Sequence, residues 1–180
     1  MLQRYDEGEV VGIESLGGPL ILIDRQWLSD WQGYPDPAWP FDAFGTDYAR
    51  ACAVDDLLGL IAVGPGFALI LGDEPLPTAW WPQPDRGGGI IVRWSYAPDE
   101  AAVFAALSRL PSFVWTRSTF TLPLPTGRAE IFDTVFGGEE LEASLTLDLP
   151  QWMYHVDTAE YERNAGTALL LHRLTPDTAD

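Results

Sequence analysis

The sequence predicts an α+β fold, mostly antiparallel sheet, with one clear helix at about residues 98–110 and one or two shorter ones. Three observations predict it. The apolar runs Leu57 to Val63 and Phe67 to Leu71 meet at Gly64-Pro65-Gly66. That is the signature of a buried hairpin, because Pro65 lacks an N–H and obstructs a helix. Leu141, Ala143, Leu145, Leu147 and Leu149 alternate with Glu142, Ser144, Thr146 and Asp148, the period of a strand with one wet face. The strands do not alternate regularly with helices, which disfavours a doubly wound parallel sheet.

The elements follow in order. Val10 to Ser15 and Pro19 to Asp24 read as two short strands, with Gly17-Gly18 able to supply the positive φ of a tight turn. Asp24 can cap a short helix over Arg25 to Trp31, which places Trp27, Leu28 and Trp31 on one face. Residues 33–46 form an irregular, proline-rich loop held down by Trp39, Phe41 and Phe44. Asp47 to Asp56 reads as a short helix capped by Thr46 or Asp47, or as an extended edge. After the central hairpin, four prolines between residues 74 and 88 end regular structure, with a short strand at Thr78 to Trp81. Gly89 to Tyr96 is a strand. Pro98, Asp99 and Glu100 then open the clear helix, Ala102, Val103, Ala106, Leu107 and Leu110 give its spacing, and Pro111 stops it. Further strands are expected at Ser112 to Leu122, Arg128 to Phe132 and Leu141 to Leu149. A final pair, Trp152 to Asp157 and Ala168 to Leu174, is joined by a polar connection.

Length and composition set limits. A chain of 180 residues fits one domain over 1–180, or two packed lobes, and can bury a real core. A hydrophobic content of 47% argues against disorder. There are 27 acids against 10 bases, for a net charge of −17, and every base is Arg. This charge repels nucleic acid and anionic membrane and attracts a basic partner; it is also a plain route to solubility. One cysteine, Cys52, excludes an internal disulfide and reads as a small buried residue. No signal core and no apolar run of about 20 residues is visible, so the expected address is cytoplasmic.

Reaction chemistry finds little footing. His155 and His172 lie on expected strands without the short spacings of a metal site, and read as surface or rim residues. Ser15 is not in a nucleophile elbow. Gly64-Pro65-Gly66 and Gly87-Gly88-Gly89 read as turns rather than phosphate loops. Acids cluster at Asp55-Asp56, Asp73-Glu74, Glu139-Glu140-Glu142 and Asp157-Glu160-Glu162, mostly as solvated faces. Trp80-Trp81 beside Asp73-Glu74 has the composition of an interface hot spot. On a strand one of the pair enters the core while the other stays outside; burial of both is the competing reading.

The stretches ESLGGPLILI, DYARACAV, LGLIAVG and ALILGDEPLPTAWWP occur in that order in the first half, and YHVDTAEYE and LLLHRL follow near the end. Together they resemble the bacterial immunity protein family numbered twenty-one, of polymorphic toxin systems. The resemblance implies a cytoplasmic protein that binds and neutralises a cognate toxin domain. On that reading the chain is not an enzyme, has no catalytic residue, and needs no cofactor or metal. Its expected partner surface is Asp55, Asp56, Asp73, Glu74, Trp80 and Trp81. From charge alone, a basic nuclease is the toxin easiest to accommodate, with no direct binding of nucleic acid or membrane. The alternatives are a small carboxylate-based enzyme or ligand-binding domain, and a DNA mimic. Oligomeric state is left open.

Overall fold

The computed structural model describes residues 12–34, 45–72, 75–107, 113–163 and 166–177, without the side chain of Arg163. Eleven strands among them form two sheets, and the pairings described between strands are antiparallel. The chain divides into two compact units, one over residues 1–12, 76–121 and 154–180, the other over 13–75 and 122–153.

The first unit holds most of a six-stranded sheet of order β1-β5-β6-β11-β10-β7. Its strands are β1 (Gly12–Ile13), β5 (Thr78–Gln83), β6 (Gly88–Tyr96), β7 (Thr116–Pro123), β10 (Met153–Arg163) and β11 (Thr167–Pro176). The centre is β11, which pairs with β6 on one side and β10 on the other. Its sequence TALLLHRLTP is apolar on both faces, and Leu169, Leu170, Leu171, His172 and Leu174 are all buried. One face carries Leu169 and Leu171 with Ile90, Val92 and Ala79, and helix α2 (Glu100–Leu107) lies on it through Val103, Ala106 and Leu107. Burying such aliphatic side chains contributes roughly 1.5–3 kcal/mol each. The helix begins at Asp99, whose Oδ1 accepts from the Ala102 amide at 2.8 Å, an N-cap bond that satisfies an otherwise orphaned donor.

The second unit holds a five-stranded sheet of order β3-β4-β2-β8-β9. These are β2 (Leu20–Asp24), β3 (Leu58–Val63), β4 (Gly66–Leu71), β8 (Arg128–Asp133) and β9 (Leu145–Asp148). Central β2, LILID, is buried at every position. Its Ile21 and Ile23 join Ala68, Ile70 and Phe132 in a cluster covered by Trp27, Trp31 and Ala51. Trp27 comes from a 3-10 turn at Arg25–Asp30, Trp31 is the residue that caps its end, and Ala51 comes from helix α1 (Asp47–Cys52). The expected hairpin is present as β3–β4, with Val63 opposite Gly66 and a two-residue turn of Gly64-Pro65. Gly64 has φ 52°, a left-handed conformation that L side chains adopt at a cost. Both expected caps of this unit form: Asp24 accepts from the Gln26 amide at 2.9 Å and Thr46 Oγ1 from Ala49 at 3.1 Å.

Several expectations change. The two N-terminal strands are not a hairpin: β1 joins the six-stranded sheet while β2 sits in the middle of the other. The alternating leucine run is a strand only over Leu145–Asp148, because Glu139 to Ser144 are taken up in turns that follow β8. The supposed polar connection after Asp157 is largely strand. β10 runs on to Arg163, its polar side chains alternating with buried Val156, Asp157 and Ala159. Pro82 does not end β5, which continues to Gln83 opposite Gly88. Gly88 and Gly89 belong to β6, and only Gly87, at φ 66°, makes the turn. The clear helix is described as Glu100–Leu107, and the loop aromatics Trp39, Phe41 and Phe44 lie outside the described residues.

Candidate functional site

The acids separate into two populations by environment. Four are buried and act as fasteners within their own unit. Asp24 accepts the Thr126 amide and hydroxyl at 2.9 Å each, as well as capping the 3-10 turn. Asp133 accepts from Leu16 N at 2.6 Å and Val135 N at 3.0 Å. Glu130 accepts from Thr146 Oγ1 and lies 3.6 Å from Arg25 Nε. Asp157 is 3% exposed and receives Arg117 Nε at 3.0 Å and Arg173 Nη2 at 2.8 Å. Each bond repays part of the cost of burying a carboxylate. The exposed population includes Asp55, Asp56, Glu139, Glu140, Glu142, Glu160 and Glu162, and these are the charges free to meet a partner.

Four of the six expected contact residues, Asp55, Asp56, Trp80 and Trp81, are among those described. Asp55 and Asp56 are exposed in the turn between α1 and β3, and Asp56 Oδ1 accepts from the Leu57 amide at 2.8 Å. Trp80 is 2% exposed, a core residue of β5. Trp81 points to the opposite face, half-buried against the α2 cluster. The strand therefore splits the tryptophan pair as its period requires, and neither ring is fully presented. Asp73 and Glu74 lie outside the described residues.

Two other residues depart from expectation. Cys52 is exposed. Helix α1 turns Tyr48 and Ala51 inward, and one further residue swings Cys52 about 100° off that face. Partial burial nonetheless pushes its thiol pKa up, against a hydrogen bond with Tyr48 that lowers it, so the thiol is a poorer nucleophile than a free one. His172 is fully buried in β11 rather than at a rim. Its Nδ1 lies 3.0 Å from Thr158 Oγ1, and its Nε2 is buried without a partner. Burial, with the Arg93 charge nearby, lowers its pKa from 6.5 to about 3, so it is neutral at pH 7.

One constellation had no local signal in the sequence. Arg117 on β7, Asp157 on β10 and Arg173 on β11 are 40 and 16 residues apart, and the sheet brings them onto one face. The Arg173 guanidinium carbon also lies 4.2 Å from the Trp115 ring centroid, within cation–π range. Beside it, Phe113 stacks on Tyr161 with centroids 5.1 Å apart. Burial alone would raise the Asp157 pKa; hydrogen bonds and charge from Arg117 and Arg173 outweigh it and hold the carboxyl below its ordinary value. Such a carboxylate is locked in its ionised form, the opposite of a general acid.

A small recess of about 150 Å³ is lined by Tyr96, Glu162, Gly166, Thr167 and Ala168, below the roughly 300 Å³ at which ligand sites begin. Among the described residues, no three His, Cys, Asp or Glu side chains gather as a metal site. No described helix is long and apolar enough to cross a membrane. What the geometry offers is surface: exposed carboxylates on folded units, and an arginine–aromatic cluster on one sheet. The family described as Immunity protein 21 matches residues 12–167, and the chain belongs to it. Membership supports an immunity function. No curated protein and no solved structure matches the chain.

Proposed function

We propose that this protein neutralises a cognate bacterial toxin domain by binding it, without turnover, through an acidic surface. The family match over residues 12–167 carries the reading. The charge supports its mechanism: with a net charge of −17, the protein's field draws in a basic partner and disfavours wrong ones. A toxin whose active cleft is positive, such as a nuclease, fits that field. Bound carboxylates then occupy the place of its anionic substrate. Asp55 and Asp56 contribute to this surface, with Asp73, Glu74 and Trp81 as further candidates. Trp80, being in the core, supports β5 from within.

The test is co-expression of the protein with the toxin domain encoded beside it, followed by pull-down. Cell survival together with a stable complex is the expected result. Growth arrest with no complex formed would remove the proposal for that pair. The other reading, a small carboxylate enzyme, needs a proton-donating carboxyl in a pocket. Asp157, held ionised by two arginines, does not supply one.

A further inference from the structure

We infer that the exposed fork of Arg117, set on the Trp115–Arg173–Asp157 cluster, is a second contact point that takes a carboxylate side chain of the toxin domain. This rests on the immunity reading and adds to it an anchor opposite in sign to the chain's net charge of −17.

The argument begins with charge balance. Asp157 carries one negative charge and receives two guanidiniums, Arg173 through Nη2 and Nε to Oδ2, and Arg117 through Nε to Oδ1. Both oxygens are engaged, and one positive charge is left over. The excess is not shared equally. The Arg173 side chain is 28% exposed and lies over Trp115, whereas that of Arg117 is 54% exposed. Among the described residues, Arg117 bonds only through Nε, so its two terminal amino groups present their donors to solvent. A planar guanidinium fixed at one edge is prepared for a second carboxylate. Holding a long side chain in advance reduces the ordering cost on binding.

The surroundings fit a protein partner. Arg117 stands on β7, at the end of the sheet order. Beside it are Trp115, Phe113 and Tyr161, all partly exposed, and Val114, 86% exposed, lies between the two β7-proximal aromatics. Arginine and aromatics together are the residue types that dominate interface energetics. In a chain with so large an excess of acid, a fixed cation amid apolar rings is a place where a partner's carboxylate escapes the general repulsion. The acidic field governs approach; this point governs residence and register.

The experiment measures the dissociation constant and rate for the adjacent toxin domain with wild-type protein, Arg117→Ala and Thr119→Glu. In Arg117→Ala, Arg173 still neutralises Asp157, and a melting curve checks the fold. Thr119 is exposed and two residues along β7, so Thr119→Glu sets a repelling charge beside the fork while leaving the Asp157 contacts intact. Both variants are expected to weaken binding at least tenfold, mainly through faster dissociation. A wild-type complex whose affinity neither variant changes would overturn this inference and leave the immunity reading standing. Absence of a wild-type complex would overturn both.

Discussion

His172 shows how much a single side chain can decide. It is neutral and buried, with a pKa of about 3 against 6.5 for a free imidazole. Below pH 6.5 the unfolded chain gains a proton there that the folded chain does not, so stability falls as pH drops. The slope is roughly 1.4 kcal/mol per pH unit, from about 6.5 down to about 3. Asp157 adds to this at lower pH. Its depressed pKa stabilises the fold above the ordinary carboxylate value, and that contribution is lost as pH falls through the folded value. His172→Phe keeps the volume and removes the titration. Its melting temperature is expected to fall less than the wild type's between pH 7 and pH 5; equal falls would show that His172 does not carry the effect. Neither residue advertised its burial. His172 has apolar neighbours that fit a strand of either exposure, and Asp157 depends on arginines far away in sequence.

At the scale of elements, the hairpin was legible because its signals are local. Proline and glycine at the turn, and apolar runs on each side, fix β3 and β4 without outside help. Asp24 and Thr46 were legible as caps for the same reason. The unexpected constraint is Gly66. It needs no special φ, but a Cβ there would stand 2.1 Å from the Trp27 ring, because the 3-10 turn packs directly on β4. Gly66→Ala is therefore expected to destabilise by about 1–3 kcal/mol. Trp27→Leu should make the second substitution cheaper than it is in the wild type. Denaturant curves for the four proteins measure that coupling, and simple additivity would refute the contact. The lengths of β9 and β10 were misread because alternation continues into turns, and polar alternation occurs inside strands too.

For the whole molecule, the fold class was readable from patterning, whereas the strand order was not. The chain enters each unit repeatedly, and pairing between β6 and β11 joins segments with no mutual signature. The candidate surface was readable only as charge: sequence showed which residues are acidic, but tertiary structure decided which of them are fasteners. If the exposed population steers a basic toxin, the association rate should fall steeply between about 20 and 500 mM salt as the screening length shrinks. Stopped-flow mixing measures it. A rate indifferent to salt would mean that charge does not guide the encounter. Asp55→Asn with Asp56→Asn should lower the rate modestly at low salt and converge on the wild type at high salt.

The position of β11 has a consequence for how the protein is made. The strand at the middle of the six-stranded sheet, Thr167–Pro176, comes after both of its neighbours in the sequence. A ribosome that has produced β6 and β10 has not yet produced the strand that pairs with both. Until β11 emerges, two long edges wait for the same partner, and open edges invite pairing with other chains. A message truncated ahead of Thr167 would thus yield a nascent chain without its central strand.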